Sequence, residues 1–105
     1  MLITTTTLLE GTPVQEYLGV VYCEQVIGAN FLRDFMASVK DYFGGRVRGY
    51  EEVLHKAKQE CIAELTAQAA KKGGNALIAL HFDHVSLGRY GSILMVSASA
   101  TVARI

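Results

Sequence analysis

The sequence predicts a small α+β domain in which an antiparallel sheet is packed by one long helix. Three observations predict it. Between Gly49 and Gly73-Gly74, apolar residues recur at spacings of three and four, the period of a helix with one buried face. Two segments on each side of the helical region are rich in β-branched residues or alternate in polarity, as strands do. The whole chain is 105 residues, the length of one domain, 1–105. The resulting order is β-β-α-α-β-β.

Residues 2–7, rich in threonine, form the first short strand, and Gly11 and Pro13 mark the turn after it. Residues 14–26 form a longer strand. Val14, Glu16, Leu18, Val20, Tyr22 and Glu24 share one side; Gln15, Tyr17, Gly19, Val21, Cys23 and Gln25 share the other. Neither side is purely polar, so one is expected to meet a helix and the other a neighbouring subunit. Asn30 is suited to cap a helix over residues 31–42, whose stripe is Phe31, Phe35, Val39 and Tyr42, and Gly44-Gly45 ends it.

The long helix is expected over residues 50–72. Tyr50, Val53, Leu54, Ala57, Cys61, Leu65 and Ala69 line one face. Glu51 and Glu52 in its first turn and Lys71 and Lys72 in its last suit the helix dipole. Residues 75–85 read as a strand, with the continuous apolar run Ala76-Leu77-Ile78-Ala79-Leu80 of a central position. Residues 86–91 are a loop and residues 92–103 the last strand, in a hairpin with the previous one. Leu94, Val96, Ala98, Ala100 and Val102 form its apolar face; Ile93, Met95, Ser97, Ser99 and Thr101 form a small, mildly polar face suited to close approach by another chain. Met95 and Ala98 are the expected subunit-contact positions on this strand.

Composition points to an assembly. Half of the residues are hydrophobic and only 19% are charged, below the roughly 25% of an average soluble domain. A chain this short leaves much apolar surface uncovered when folded alone, so a homo-oligomer is expected. The formal net charge is zero, which removes the global field that would gather nucleic acid or an anionic membrane. No apolar run approaches the roughly 20 residues of a membrane span. The start, Met1-Leu2-Ile3-Thr4, lacks a basic region followed by an apolar one, so a cytoplasmic protein is expected. In that setting Cys23 and Cys61 read as buried thiols rather than a disulfide.

Several strings carry a family likeness: Gly28-Ala29-Asn30, Arg33-Asp34, Asp41, Gly44-Gly45-Arg46, Tyr50-Glu51, Asn75-Ala76, Asp83, Gly91-Ser92 and Leu94-Met95-Val96. In this order, over nearly the whole chain, they resemble the YbjQ-like family. The resemblance implies a dodecin-like α+β subunit in a homopentameric ring and brings a heavy-metal-binding label, with function otherwise uncharacterised. The chain departs from the family pattern at Val47, where serine is usual, at His84, where tyrosine is usual, and at Ala100, where glycine is usual. Neither cysteine falls on a family motif, so the resemblance implies no thiolate site.

His81-Phe82-Asp83-His84 is the leading metal candidate. On a strand, His81 and Asp83 project to one face and His84 to the other, giving a two-ligand pair. A zinc-type centre needs three or four ligands, which ring symmetry would have to supply; otherwise these are polar strand-end residues. Cys23 and Cys61 are soft ligands only if they meet in space, and small hydrophobes if they do not. His55 flanks the apolar stripe and reads as a surface residue. Arg46 and Arg48, before a helix N-terminus, suit either an anion or ion pairs with Asp34, Asp41 or Glu51 across a subunit contact. No nucleophile elbow or paired-carboxylate arrangement is present, so an enzyme is not expected. The expected function is a non-enzymatic homopentamer binding a small ligand or a metal ion, of divalent or heavy-metal type. A ring with no ligand, and an enzyme with an interfacial anion site, are the alternatives.

Overall fold

The computed structural model describes residues 1–28, 42–43, 46–87 and 93–105, with side chains described at all of these except 42–43 and 46–50. Among them the order is β1 (Leu2–Ile3), β2 (Glu16–Ile27), β3 (Tyr42–Phe43), β4 (Arg46–Val47), α1 (Arg48–Lys71), β5 (Ala76–Leu87) and β6 (Ile93–Arg104). β1, β5, β6 and β2 form one sheet in that order, and β3 pairs with β4 in a second, minimal sheet. β5–β6 and β6–β2 are antiparallel, as expected, but β1 runs parallel to β5, so the sheet is mixed. The parallel edge follows from the connection: among the described residues β1 and β5 are separated by three strands and a helix, not by a hairpin turn.

The helix expected over residues 31–42 lies outside the described residues except at Tyr42, which is in β3 rather than in a helix. Its expected glycine stop, Gly44-Gly45, also lies outside them. α1 starts two residues earlier than its periodicity suggests, at Arg48. Its end is built by glycine. The Gly73 N–H donates to the Ala70 carbonyl and the Gly74 N–H to the Ala69 carbonyl, with Gly73 at φ +80°. This pair of bonds satisfies carbonyls that the last turn would otherwise leave free. Gly74 also passes so close to β6 that a Cβ would stand 2.3 Å from a Val102 methyl carbon.

α1 covers one face of the sheet. Cys61, Leu65 and Ala69 pack on Val21 and Cys23 of β2, Leu77 and Leu80 of β5, and Ala98, Ala100 and Val102 of β6. Nearer the start of α1, Val53 and Ala57 pack on Leu94 and Val96. Ala98 is therefore a helix-facing core residue and not the subunit contact expected of it; alternation along β6 puts Met95 on the other side. Ala76, Ile78 and Ala103 form a separate cluster with Leu9, Val14 and Ile105.

Two bulges adjust the alternation. In β2 the register shifts between Tyr17 and Gly19, which lets Leu18 join Val21 and Cys23 in the helix-facing core. In β5 it shifts between Ile78 and His81, where Ala79 takes φ 55°. The extra residue brings Leu77 and Leu80 to the same core although they are three apart. The Ala79 and Leu80 N–H groups donate to the Thr6 and Thr4 carbonyls, so the N-terminal segment satisfies the bulge.

Candidate functional site

Metal-type donors gather at two places, one on each face of the sheet. On the open face, away from α1, the His81 Nε2 lies 3.1 Å from the Asp83 Oδ2. Both side chains are exposed, at 68% and 75%. They sit as expected, on one side of β5, because their separation of two residues falls after the bulge. Cross-strand register extends this band: His81 is level with Ser99 and Tyr22, and Asp83 with Ser97 and Glu24. Apolar residues flank it. Val26 and Val85 both pair with Met95 in the next row, and Tyr22 and Val26 are 65% and 66% exposed. His84 is opposite Val96, a helix-facing residue, and so projects to the other face, exposed at the sheet's far end.

The helix-facing side holds the thiols. β2 supplies Cys23 and α1 supplies Cys61, both buried at 2% and 0% exposure, both reduced. They lie in one buried cluster, with Cys23 on β2 facing the turn of α1 that carries Cys61. Glu64, three residues and one turn beyond Cys61, reaches the same point, and the Cys23 Sγ donates to its Oε2 at 3.0 Å. Burial first, then the Cys61 thiol and the Glu64 carboxylate, push the Cys23 thiol above its ordinary range and hold it protonated. The seam between α1 and β2 is closed on either side by exposed bonds. The Gln25 amide donates to the Glu60 carboxylate at 2.9 Å and the Gln68 amide to the Tyr22 carbonyl at 2.8 Å. Among the described residues, no three His, Cys, Asp or Glu side chains are arranged to hold a metal ion in one chain.

Arg46 lies in β4 and Arg48 opens α1, but their side chains, and Asp34 and Asp41 entirely, are outside the described residues. Glu51 is in the first turn of α1 and half-buried. His55 is exposed on α1, as expected. Glu64 is the one member of the thiol cluster that sequence reasoning missed. The signal was its position one turn after Cys61, and it carried weight only once β2 was known to lie beneath that turn.

A family model described as "Putative heavy-metal-binding" matches residues 1–105, the full chain. The chain belongs to the YbjQ-like family. Two relatives of this YbjQ-like protein, each named UPF0145 protein, come from Caulobacter vibrioides strains NA1000 / CB15N and ATCC 19089 / CIP 103742 / CB 15. Each is 44% identical over 101 residues, covering 96% of both chains. A crystal structure of a protein of unknown function of the DUF74 family, from Pediococcus pentosaceus ATCC 25745, superposes with a TM-score of 0.61. It is 19% identical and the match covers 100% of this chain and 97% of that one, so the likeness speaks for a shared fold. Neither the family description nor the relatives' names point to an enzymatic activity. Among the described residues, no helix is long and apolar enough to cross a membrane.

Proposed function

We propose that this YbjQ-like protein is a non-enzymatic, cytoplasmic homo-oligomer, a pentameric ring of dodecin-like subunits, that binds a divalent metal ion through the His81–Asp83 pairs of adjoining copies. The observation that carries this reading is the position of the pair. It stands on the sheet face that α1 leaves uncovered, beside exposed Tyr22, Val26 and Val85. Exposed apolar surface around polar donors is what a second copy would cover, and a second copy would bring the ligands that one chain lacks. Imidazole with carboxylate suits borderline divalent ions. Free cysteines suit a reducing compartment.

Light scattering joined to metal analysis tests the reading. The assembled protein is expected to take up zinc, nickel or cobalt in fixed ratio to chains. His81→Ala and Asp83→Ala should each lower that uptake by roughly 10–100-fold in affinity. A monomer in solution would remove the ring, and an assembly that takes up no ion would remove the metal.

A further inference from the structure

We propose that Cys23 and Cys61 form a second, buried site that binds one thiophilic divalent ion in two-coordinate geometry, with Glu64 receiving a thiol proton. This site lies on the opposite face of the sheet from His81 and Asp83 and needs no second copy of the chain. Three observations converge on it. Two thiols from different elements, far apart in the chain, share one buried cluster, and Cys23 bonds to Glu64 one turn after Cys61. A carboxylate already accepts the Cys23 S–H and is itself exposed to solvent. Among the described residues no three His, Cys, Asp or Glu side chains, the two thiols and Glu64 included, are arranged to hold one ion, and a zinc-type centre takes three or four protein ligands.

Charge selects the ion. Two thiolates and a divalent cation make a neutral unit, which an apolar core tolerates. A monovalent ion would leave a net negative charge there, and burying an unpaired charge is costly. Binding breaks two S–H bonds and forms two sulfur–metal bonds. Both protons leave, and the Glu64 carboxylate, bridging the Cys23 sulfur and bulk water, is the route for the first. No electron is transferred, so no oxidant is needed. Entry follows the α1–β2 seam. β2 is an edge strand, and the Gln25–Glu60 and Gln68–Tyr22 bonds that close the seam are exposed and exchangeable with water.

Mercury(II) is the probe, added to the reduced full chain with an excess of a simple monothiol as competitor. Wild-type protein is expected to retain one ion per chain and to melt at a higher temperature when loaded, because the ion ties α1 to β2. Cys23→Ser and Cys61→Ser, and the matching alanine variants, should each lose retention by roughly 100-fold, since one thiolate has no chelate advantage over the competitor. Circular dichroism confirms that each variant is folded. His81→Ala should retain mercury like wild type, and zinc(II) should show no cysteine-dependent uptake. Single-cysteine variants that are folded and retain mercury as well as wild type would overturn the site. So would cysteine-dependent zinc uptake, or failure of the wild-type chain to hold mercury against the monothiol. Loss of zinc, nickel or cobalt uptake alone bears on the open-face reading and leaves this one standing.

Discussion

At the residue scale, Ala79 holds φ 55° inside β5, a left-handed conformation in which the Cβ costs roughly 1–2 kcal/mol. The bulge it creates is what turns Leu80 and Phe82 toward α1 and His81 and Asp83 away from it. Glycine accepts this φ without the Cβ penalty but loses more freedom on folding. Ala79→Gly is therefore expected to stabilise the protein by about 0.5–1 kcal/mol, seen as a higher denaturant midpoint with the pair on the open face unmoved. A lower midpoint would mean that Ala79's methyl contributes packing that outweighs the strain. Nothing in Ile78-Ala79-Leu80 announces the bulge, since alanine is the wrong residue for a left-handed position. It is specified from outside, by the Thr4 and Thr6 carbonyls that take the Ala79 and Leu80 N–H groups. The same limit applies to Cys23 and Cys61. Each is legible alone as a buried thiol, and their sharing of one cluster depends on how α1 lies across β2.

At the scale of the element, α1 is the piece the sheet is built against. Of its expected stripe, Val53, Ala57, Cys61, Leu65 and Ala69 are buried and Leu54 is half-buried, while the Tyr50 side chain lies outside the described residues. The small residues in it let the helix approach the sheet closely, and Leu65, fully buried, fills the centre of the contact. Leu65→Ala should cost about 2–5 kcal/mol, the range for emptying a buried leucine site, measured as the change in unfolding free energy in urea. A cost under about 1 kcal/mol would indicate that the layers collapse into the space or that Leu65 is less central than its burial implies. Helix ends were less legible than the helix itself. α1 begins at Arg48, following directly on β4, and the pairing of β4 with β3 is a strand contact that no helical period records.

At the scale of the whole molecule, the described residues cover the sheet's two faces unequally: away from α1, Leu9 and Val14 pack only on the end at Ala76, Ile78 and Ala103. α1 covers one face, and the other exposes Val20, Tyr22, Val26, Val85 and Leu87. Charge placed there should leave the subunit folded, because these side chains pack little within it, and should weaken its association with other copies. Val26→Glu is expected to shift the mass found by light scattering toward the monomer while leaving the circular dichroism spectrum unchanged. A mass equal to that of the wild type would remove this face from the interface. The expectation that the last strand has one face for the helix and one for a neighbour was readable from its alternation. The identity of the neighbour is a matter of assembly, which one chain's pattern does not encode.

The sequence by itself determined the helix, the three long strands and their faces, because burial repeats at 3.6 residues along a helix and at 2 along a strand whatever else the chain does. It also determined that His81 and Asp83 share a side, since that follows from strand geometry over two residues. Tertiary structure decided the parallel pairing of β1 with β5, the two bulges, and the gathering of Cys23, Cys61 and Glu64. These are contacts between elements far apart in the chain. Register and crossing set them, and a side chain's local period carries no record of which distant residue will lie against it.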